Sequence, residues 1–93
     1  MTKQEFDELV RLSKLTGLKY KVQSYTELRS IINCAYDIDH NANLNWIDTS
    51  NPKIDTMANL FTRCEEFNGD ISEWNVSNVK SMVSMFKGCS KFN

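Results

Sequence analysis

The C-terminal half of the chain contains the same pattern twice, and this repeat restricts the fold more than any other feature. One copy begins at Ile54 and reads IDTMANLFTRCEEFNGDISEWN, and the other begins at Val79 and reads VKSMVSMFKGCSKFN. A repeat of this length is too small to bury its own apolar face, so it must pack against a neighbouring unit. The like residues stand 25 positions apart, in the pairs Ile54 and Val79, Met57 and Met82, Leu60 and Met85, Phe61 and Phe86, Cys64 and Cys89, Phe67 and Phe92, and Asn68 and Asn93.

The repeat also resembles a known family, the BspA-type leucine-rich-like repeats of bacterial surface proteins and lipoproteins. The family pattern runs close to M-x-x-M-F-x-x-C-x-x-F-N-x-D-I-S-x-W-(N/D)-x-S-N-V. The stretch LNWIDTS, residues 44–50, is similar to the family's opening into its first repeat, so the resemblance covers residues 44–93. The matching residues are Phe67, Asn68, Asp70, Ile71, Ser72, Trp74, Ser77, Asn78, Val79, Met82, Met85, Phe86, Cys89, Phe92 and Asn93.

The resemblance implies an α+β fold: a short leucine-rich-repeat-like solenoid of about one and a half repeats, preceded by a two-helix cap. We expect one domain over residues 1–93, with the helical cap at 1–43 and the repeat region at 44–93. Within a repeat, a helical turn is expected at 57–63 and again at 82–88, and a ladder strand at 66–72. Phe61 and Phe86 should lie in the core on equivalent turns, Phe67 and Ile71 should face inward, and Trp74 and Val76 should pack the return.

The cap itself is predicted from the N-terminal residues. Thr2 and Glu5 have the spacing of a capping box, apolar residues recur at helical spacing after them, and Gly17 can end a helix. A second Ser-x-x-Glu box, Ser24 to Glu27, precedes another apolar face. These patterns predict helices at 3–15 and 25–36, with a short strand at 18–22 between them.

Charge and hydropathy exclude some classes of function. The chain has 11 basic and 12 acidic residues, and this balance does not favour nucleic-acid binding, which needs a basic face. No apolar run is long enough for a membrane span, so no membrane insertion is expected. The N-terminal residues MTKQEFDELV do not form a signal peptide. A cytoplasmic location is therefore an alternative to the cell surface, where the family is often found.

Residues 37–48 place oxygen-bearing side chains at the spacing of a calcium-binding loop. The motif is incomplete, because Ala42 stands where the sharp turn needs glycine and Asp48 stands where glutamate is usual. Turn residues follow Asp48 instead of a helix. The family resemblance already accounts for residues 44–50, so we do not assign a metal site there.

No other group of residues predicts a catalytic, cofactor or metal site. Cys34, Asp37, Asp39 and His40 are near one another in sequence, but nothing supplies the oxyanion site that nucleophilic catalysis needs. One histidine and three distant cysteines do not form a zinc motif. Glu65 and Glu66 are expected to be solvated. Cys64 and Cys89 should be close neighbours, as small buried side chains or as a pair within reach of a disulfide.

The function expected from these observations is non-enzymatic protein binding, of the kind used in bacterial surface adhesion or host contact. The alternative is a small intracellular protein, of a phage type, that inhibits an enzyme through its repeat surface. Asn68 and Asn93 either bond between adjacent repeats or act as turn formers. The second copy stops before residues equivalent to Ile71 and Trp74, so we expect an uncovered apolar side and self-association through residues 79–93.

Overall fold

The computed structural model describes residues 1–92. It begins with helix α1, Lys3–Thr16, continues through strand β1, Tyr20–Lys21, and helix α2, Tyr25–Ile38, and then reaches strand β2, Ile47–Asp48. β1 and β2 pair in parallel, with Tyr20 opposite Ile47 and Lys21 opposite Asp48. The two helices thus precede the repeats, as predicted. The short sheet joins the segment between the helices to the segment that follows α2.

The first helix begins and ends where its sequence signals predict. Thr2 Oγ1 accepts a hydrogen bond from the Glu5 amide at 3.1 Å, and the Glu5 carboxylate accepts one from the Thr2 amide at 2.9 Å. This reciprocal capping box satisfies two amides that a helix start leaves unpaired, and such a cap stabilises by about 1 kcal/mol. Gly17 has the left-handed conformation, with φ of 71°, and donates to the Ser13 carbonyl oxygen. The predicted helix 3–15 is confirmed.

The second helix is also confirmed, but its capping box forms only in part. Ser24 accepts from the Glu27 amide at 3.1 Å, whereas the Glu27 carboxylate accepts from the Gln23 amide and from the Tyr20 hydroxyl. Burial, followed by this hydrogen bond from Tyr20 to Glu27, raises the pKa of Tyr20 to about 12. Glu27 therefore joins the start of α2 to β1 instead of only capping its own helix.

The core lies between α2 and the first repeat. Tyr25 donates its hydroxyl to the Ala58 carbonyl oxygen, and the Tyr36 hydroxyl accepts from the Glu66 amide at 3.0 Å. α2 therefore covers one side of the repeat along most of its length. Fully burying one large apolar side chain contributes about 1.5–3 kcal/mol. The apolar side chains with no exposed surface are Val22, Leu28, Ile31, Ile32, Ile54, Met57, Leu60, Phe61 and Cys64.

The predicted leucine-rich-repeat-like solenoid is wrong. Within residues 1–92 the structure has two helices and a single sheet of two short parallel strands, which makes it a small α+β fold. The ladder strand expected at 66–72 is reduced to one isolated bridge, between Asn43 and Asp70. The helical turns expected at 57–63 and 82–88 are runs of hydrogen-bonded turns.

Turns replace the ladder because short polar side chains capture the backbone amides. The carboxylate of Asp70 accepts from the Ser72 amide at 2.9 Å, and Asn75 accepts in the same way from Ser77. A side chain that bonds two residues ahead closes a tight turn and removes that amide from strand pairing. Asn59 and Ser84, which occupy equivalent positions, have positive φ of 60° and 56°, so no helix can continue through either. The same bond from residue i+2 is made to Asp39, Asn43, Asp48, Asn51, Thr56 and Ser81.

Asparagine side chains also join segments that are distant in sequence. Asn78 donates to the Ser50 carbonyl oxygen at 3.0 Å, and Asn45 accepts from the Glu73 amide at 2.9 Å. Asparagine thus acts both as a turn former and as a bridge between neighbouring segments. The expected pairing of Asn68 with Asn93 lies outside the described residues.

The turn at Asp70 should make stability depend on pH at the acid end. Hydrogen bonds from Ser72, and then one from Asn45, lower the pKa of Asp70 from 3.8 to about 2. Because the folded state favours the carboxylate, this contribution is present above the unfolded pKa and is lost as pH falls towards 2. The melting temperature, measured from pH 6 down to pH 2, should therefore decrease as the pH drops below 3.8 towards 2. Asp70→Asn keeps an acceptor that does not titrate, so its fall should be shallower, and an unchanged pH profile would contradict this account.

Candidate protein-binding edge

Four phenylalanine rings link the two repeats in two layers. Phe61 lies 4.6 Å from Phe67 in the first repeat, and Phe86 lies 4.3 Å from Phe92 in the second, as measured between ring centroids. Across the repeats, Phe61 stacks on Phe86 at 5.2 Å and Phe67 stacks on Phe92 at 5.6 Å. The predicted register of 25 residues is therefore seen directly as ring stacking.

A row of backbone hydrogen bonds runs beside these rings. The amides of Met57, Asn59 and Phe61 donate to carbonyl oxygens of the second repeat at 2.9 to 3.0 Å. The acceptors belong to Ser81, Val83 and Met85. Along residues 57–61 the first repeat supplies every donor of this row and the second supplies every acceptor, whereas just before the row the Lys80 amide donates to the Asp55 carbonyl oxygen at 2.7 Å.

The second repeat has the equivalent amide donors, but no segment within residues 1–92 supplies acceptors for them. The amides of Met82, Ser84 and Phe86, which are equivalent to Met57, Asn59 and Phe61, have no acceptor among residues 1–92. We call residues 82–86 together with Phe92 the open edge. An unpaired row of amides is the feature through which a sheet edge recruits another chain.

Side-chain burial gives the same contrast between the repeats. Met57 has no exposed surface, whereas its counterpart Met82 is 47% exposed. Phe61 and Phe67 are buried, whereas Phe86 and Phe92 are only half-buried. Phe61 is thus confirmed as a core residue, whereas Phe86 is only half-buried and packs against the core from its edge. The open edge combines free backbone donors with apolar surface.

A groove continues the open edge on the side of the first repeat. Its volume is about 390 Å³, and its walls are formed mainly by residues 68–72 with Asn41 and Phe92. Gly69 is one of its lining residues and is closely packed, because an added Cβ would be 1.9 Å from the Ala42 carbonyl oxygen. The groove is open and is lined by polar and apolar side chains alike, so it extends the open edge without forming an enclosed pocket.

A larger cavity, of about 510 Å³, lies between α1, Tyr20 and the start of α2. Three carboxylates line it, but each already has a partner within the chain. Glu5 belongs to the capping box, Glu8 pairs with Arg11, and Glu27 accepts from Tyr20. These bonds account for the acidic residues as parts of the helical cap.

The residues of the rejected catalytic hypothesis do not meet. His40 stacks on Tyr36 at 4.3 Å and pairs with Glu66, with 3.2 Å between Nδ1 and the carboxylate. Cys34 is half-buried, and its thiol lies 3.7 Å from the Met1 carbonyl oxygen. The Glu66 side chain is 61% exposed beside His40, in keeping with the solvated position expected for it.

Cys64 and Cys89 are free thiols that occupy equivalent positions. Burial, followed by the nearby Cys89, raises the pKa of Cys64 to about 11. Burial also raises the pKa of Cys89, whose thiol donates to the Phe61 carbonyl oxygen at 3.2 Å. Because the thiolate is the reactive form, both side chains serve as packing groups under neutral conditions.

The segment that resembles a calcium loop is divided between a helix and turns. Asp37 lies in α2, Asp39 accepts from the Asn41 amide, and Asp48 accepts from the Ser50 amide. Over residues 1–92 no three acidic, histidine or cysteine side chains are grouped as a metal ion would require. The same range contains no helix that is long and apolar enough to cross a membrane.

Calcium should leave the stability of the protein unchanged. A ligand that binds only the folded state raises the melting temperature. The carboxylates of Asp39 and Asp48 already accept hydrogen bonds from their own turns, and Asp37 pairs with Arg63 at 3.8 Å. Thermal melts in EDTA and in millimolar calcium should therefore coincide. A rise in melting temperature with calcium that Asp39→Asn abolishes would restore the metal-binding hypothesis.

Comparison with known proteins identifies one family. A family model described as "Mycoplasma protein of unknown function, DUF285" matches residues 3–93. Neither the curated proteins nor the solved structures include a significant match.

Proposed function

The chain belongs to the DUF285 family, whose model covers nearly all of it, and we propose that it is a non-enzymatic module that binds another protein. The observation that carries this proposal is the open edge. It places three unpaired amides beside exposed Met82 and half-buried Phe86 and Phe92. Backbone donors next to apolar surface suit a polypeptide ligand, which can supply both carbonyl oxygens and side chains.

We further propose that the repeats are of the BspA type, and that the partner is a surface or matrix protein, as in adhesion or host contact. The resemblance of residues 44–93 to that repeat pattern supports this finer assignment. The resemblance concerns the repeat sequence, and it does not require the continuous ladder that the fold lacks.

A pull-down with matched variants tests the proposed function. The immobilised chain is presented to proteins from the surface of the source cells and from extracellular matrix, and separately to the cytosolic fraction, and bound proteins are identified by mass spectrometry. We expect a stoichiometric surface or matrix partner. Capture of one cytosolic enzyme, with loss of its activity, would instead establish the inhibitor that the sequence also allowed.

Two variants control the pull-down. Met82→Asp places a charge on the open edge, and Leu15→Asp places one on an α1 side chain that is 70% exposed. Loss of the partner with either variant alone locates its surface and supports a specific interaction. A partner retained by both, or no partner in any fraction, would contradict the proposal.

A further inference from the structure

The open edge can pair only with hydrogen-bond acceptors. The carbonyl oxygens of Met82, Ser84 and Phe86 already accept, at 2.9 to 3.2 Å, from amides three residues ahead of each. The amides of the same three residues have no acceptor within residues 1–92. Water satisfies them in the isolated molecule, and any protein that buries them must bring carbonyl or carboxylate oxygens of its own.

The chain itself shows which acceptor fits. The equivalent amides of Met57, Asn59 and Phe61 are buried by a segment that runs parallel to them and offers carbonyl oxygens at alternate residues. In that segment an aromatic residue, Phe86, directly follows the third acceptor and stacks on Phe61 at 5.2 Å. A ligand of the open edge therefore needs three carbonyl oxygens at alternate residues, followed by an aromatic ring placed over Phe86.

A second copy of the intact chain does not offer this surface. Two open edges placed against each other would bring amides against amides. The carbonyl oxygens of Ser81, Val83 and Met85, which have the right spacing, already accept from the first repeat. On the other side of the first repeat α2 covers the chain, and Tyr25 takes the Ala58 carbonyl oxygen. The acceptors must come from a segment whose carbonyl oxygens are free.

We propose that the open edge docks an extended segment of another protein, one that carries the pattern of residues 79–92. The inference rests on the proposed protein-binding function and specifies the segment that is bound. The segment lies parallel to residues 82–86, its alternate carbonyl oxygens accept from Met82, Ser84 and Phe86, and its aromatic ring adds a third layer to the stacked phenylalanines.

A synthetic peptide with the sequence of residues 79–92 is the probe. The full chain, labelled with ¹⁵N and kept reduced, is titrated with the peptide and followed by amide shifts and hydrogen exchange. We expect saturable shifts centred on residues 82–86. At saturation, exchange of the Met82, Ser84 and Phe86 amides should slow by about tenfold, as for a net hydrogen bond of ordinary strength. Amides of α1 serve as the internal reference.

Three controls make the experiment decisive. A peptide carrying Phe86→Ser lacks the stacking ring and should bind at least about tenfold more weakly, whatever the stability of the protein. In the protein, Met82→Asp should abolish the shifts, while Leu15→Asp, at an exposed apolar position on α1, should not. Circular dichroism confirms that both variants are folded before they are titrated.

The opposite results are equally clear. Shifts centred away from residues 82–86, no saturable shift, or equal binding of the Phe86→Ser peptide would overturn the inference. Protection of the three amides that grows with protein concentration in the absence of peptide would also overturn it, and would establish the self-association predicted through residues 79–93. The proposed function fails separately, when the pull-down yields no partner. A partner lost only with Leu15→Asp would leave that function standing without this edge.

Discussion

Phe61→Ala is expected to lower the free energy of unfolding by about 3–5 kcal/mol, the usual cost of emptying a buried phenylalanine site. Phe61 has no exposed surface and its ring lies between Phe67, Trp74 and Phe86, at centroid distances of 4.6, 6.0 and 5.2 Å. Rings from both repeats hold it, so the cavity cannot close by movement of one segment. Denaturant unfolding followed by circular dichroism measures the loss.

The matched control for Phe61→Ala is Val83→Ala, which also truncates an apolar side chain in the repeats. Val83 is 68% exposed, so its loss should change the free energy of unfolding by no more than about 0.5 kcal/mol. A similar small change for Phe61→Ala would mean that the aromatic layers do not hold the repeats together.

Gly69→Ala is expected to destabilise by about 3 kcal/mol, the upper end of the range for overpacking. An added Cβ would lie 1.9 Å from the Ala42 carbonyl oxygen and 2.7 Å from the Phe67 ring. The first of these neighbours is backbone, and it cannot move without disturbing the Asp70 amide, which donates to the same oxygen at 3.3 Å. Chemical denaturation of the variant gives the value.

Gly88→Ala separates this steric effect from the ordinary cost of replacing glycine. Gly88 has φ of 84° and open space around its Cα, so alanine there bears only the strain of the left-handed conformation, about 1–2 kcal/mol. Gly69→Ala should therefore be the more damaging change. A larger loss of stability in Gly88→Ala than in Gly69→Ala would show that Gly69 is not closely packed against Ala42.

Local signals and the repeat register could be read from the sequence. The Thr2–Glu5 box and Gly17 fixed the bounds of α1, because these residues interact with neighbours three to four positions away. The alignment of Phe61 with Phe86 placed two rings in contact, because equal positions of adjacent repeats meet. The first inference depends only on residues a few positions apart in the chain, and the second depends only on the constant offset between the repeats.

The conformation between these points could not be read in the same way. The ladder strand at 66–72 was expected from the repeat resemblance, but Asp70 and Asn75 divert the amides of Ser72 and Ser77 into turns. Small differences in hydrogen-bond free energy decide whether such an amide bonds to a side chain in a turn or to a neighbouring strand. Val76 was expected to pack the return with Trp74 and is 40% exposed, because it follows Asn75 within such a turn. The sequence signal that could have predicted these turns is an Asp or Asn placed two residues before a Ser, as in Asp70–Ser72 and Asn75–Ser77.

The candidate site was foreseen in part. The sequence indicated that Met82, Met85 and Phe86 would be partly uncovered. Met82 is exposed and Phe86 is half-buried, but Met85 is 5% exposed and packs with the core. The one-sided set of donors could not be foreseen, because it depends on the direction in which each amide points. Ser84, in the middle of this row, also has positive φ, a conformation that serine seldom adopts.

The offset between donor and acceptor has a consequence for synthesis on the ribosome. The amides of Met57, Asn59 and Phe61 find their acceptors at residues 81, 83 and 85, which are added 24 residues later. At about 5–20 residues per second the growing chain waits one to several seconds with those amides and the Phe61 ring uncovered. During that interval the first repeat has the same open edge that the second repeat has in the finished molecule. In a nascent chain, a segment of a neighbouring chain on the same messenger can thus pair with the uncovered amides before residues 81–85 of the same chain do.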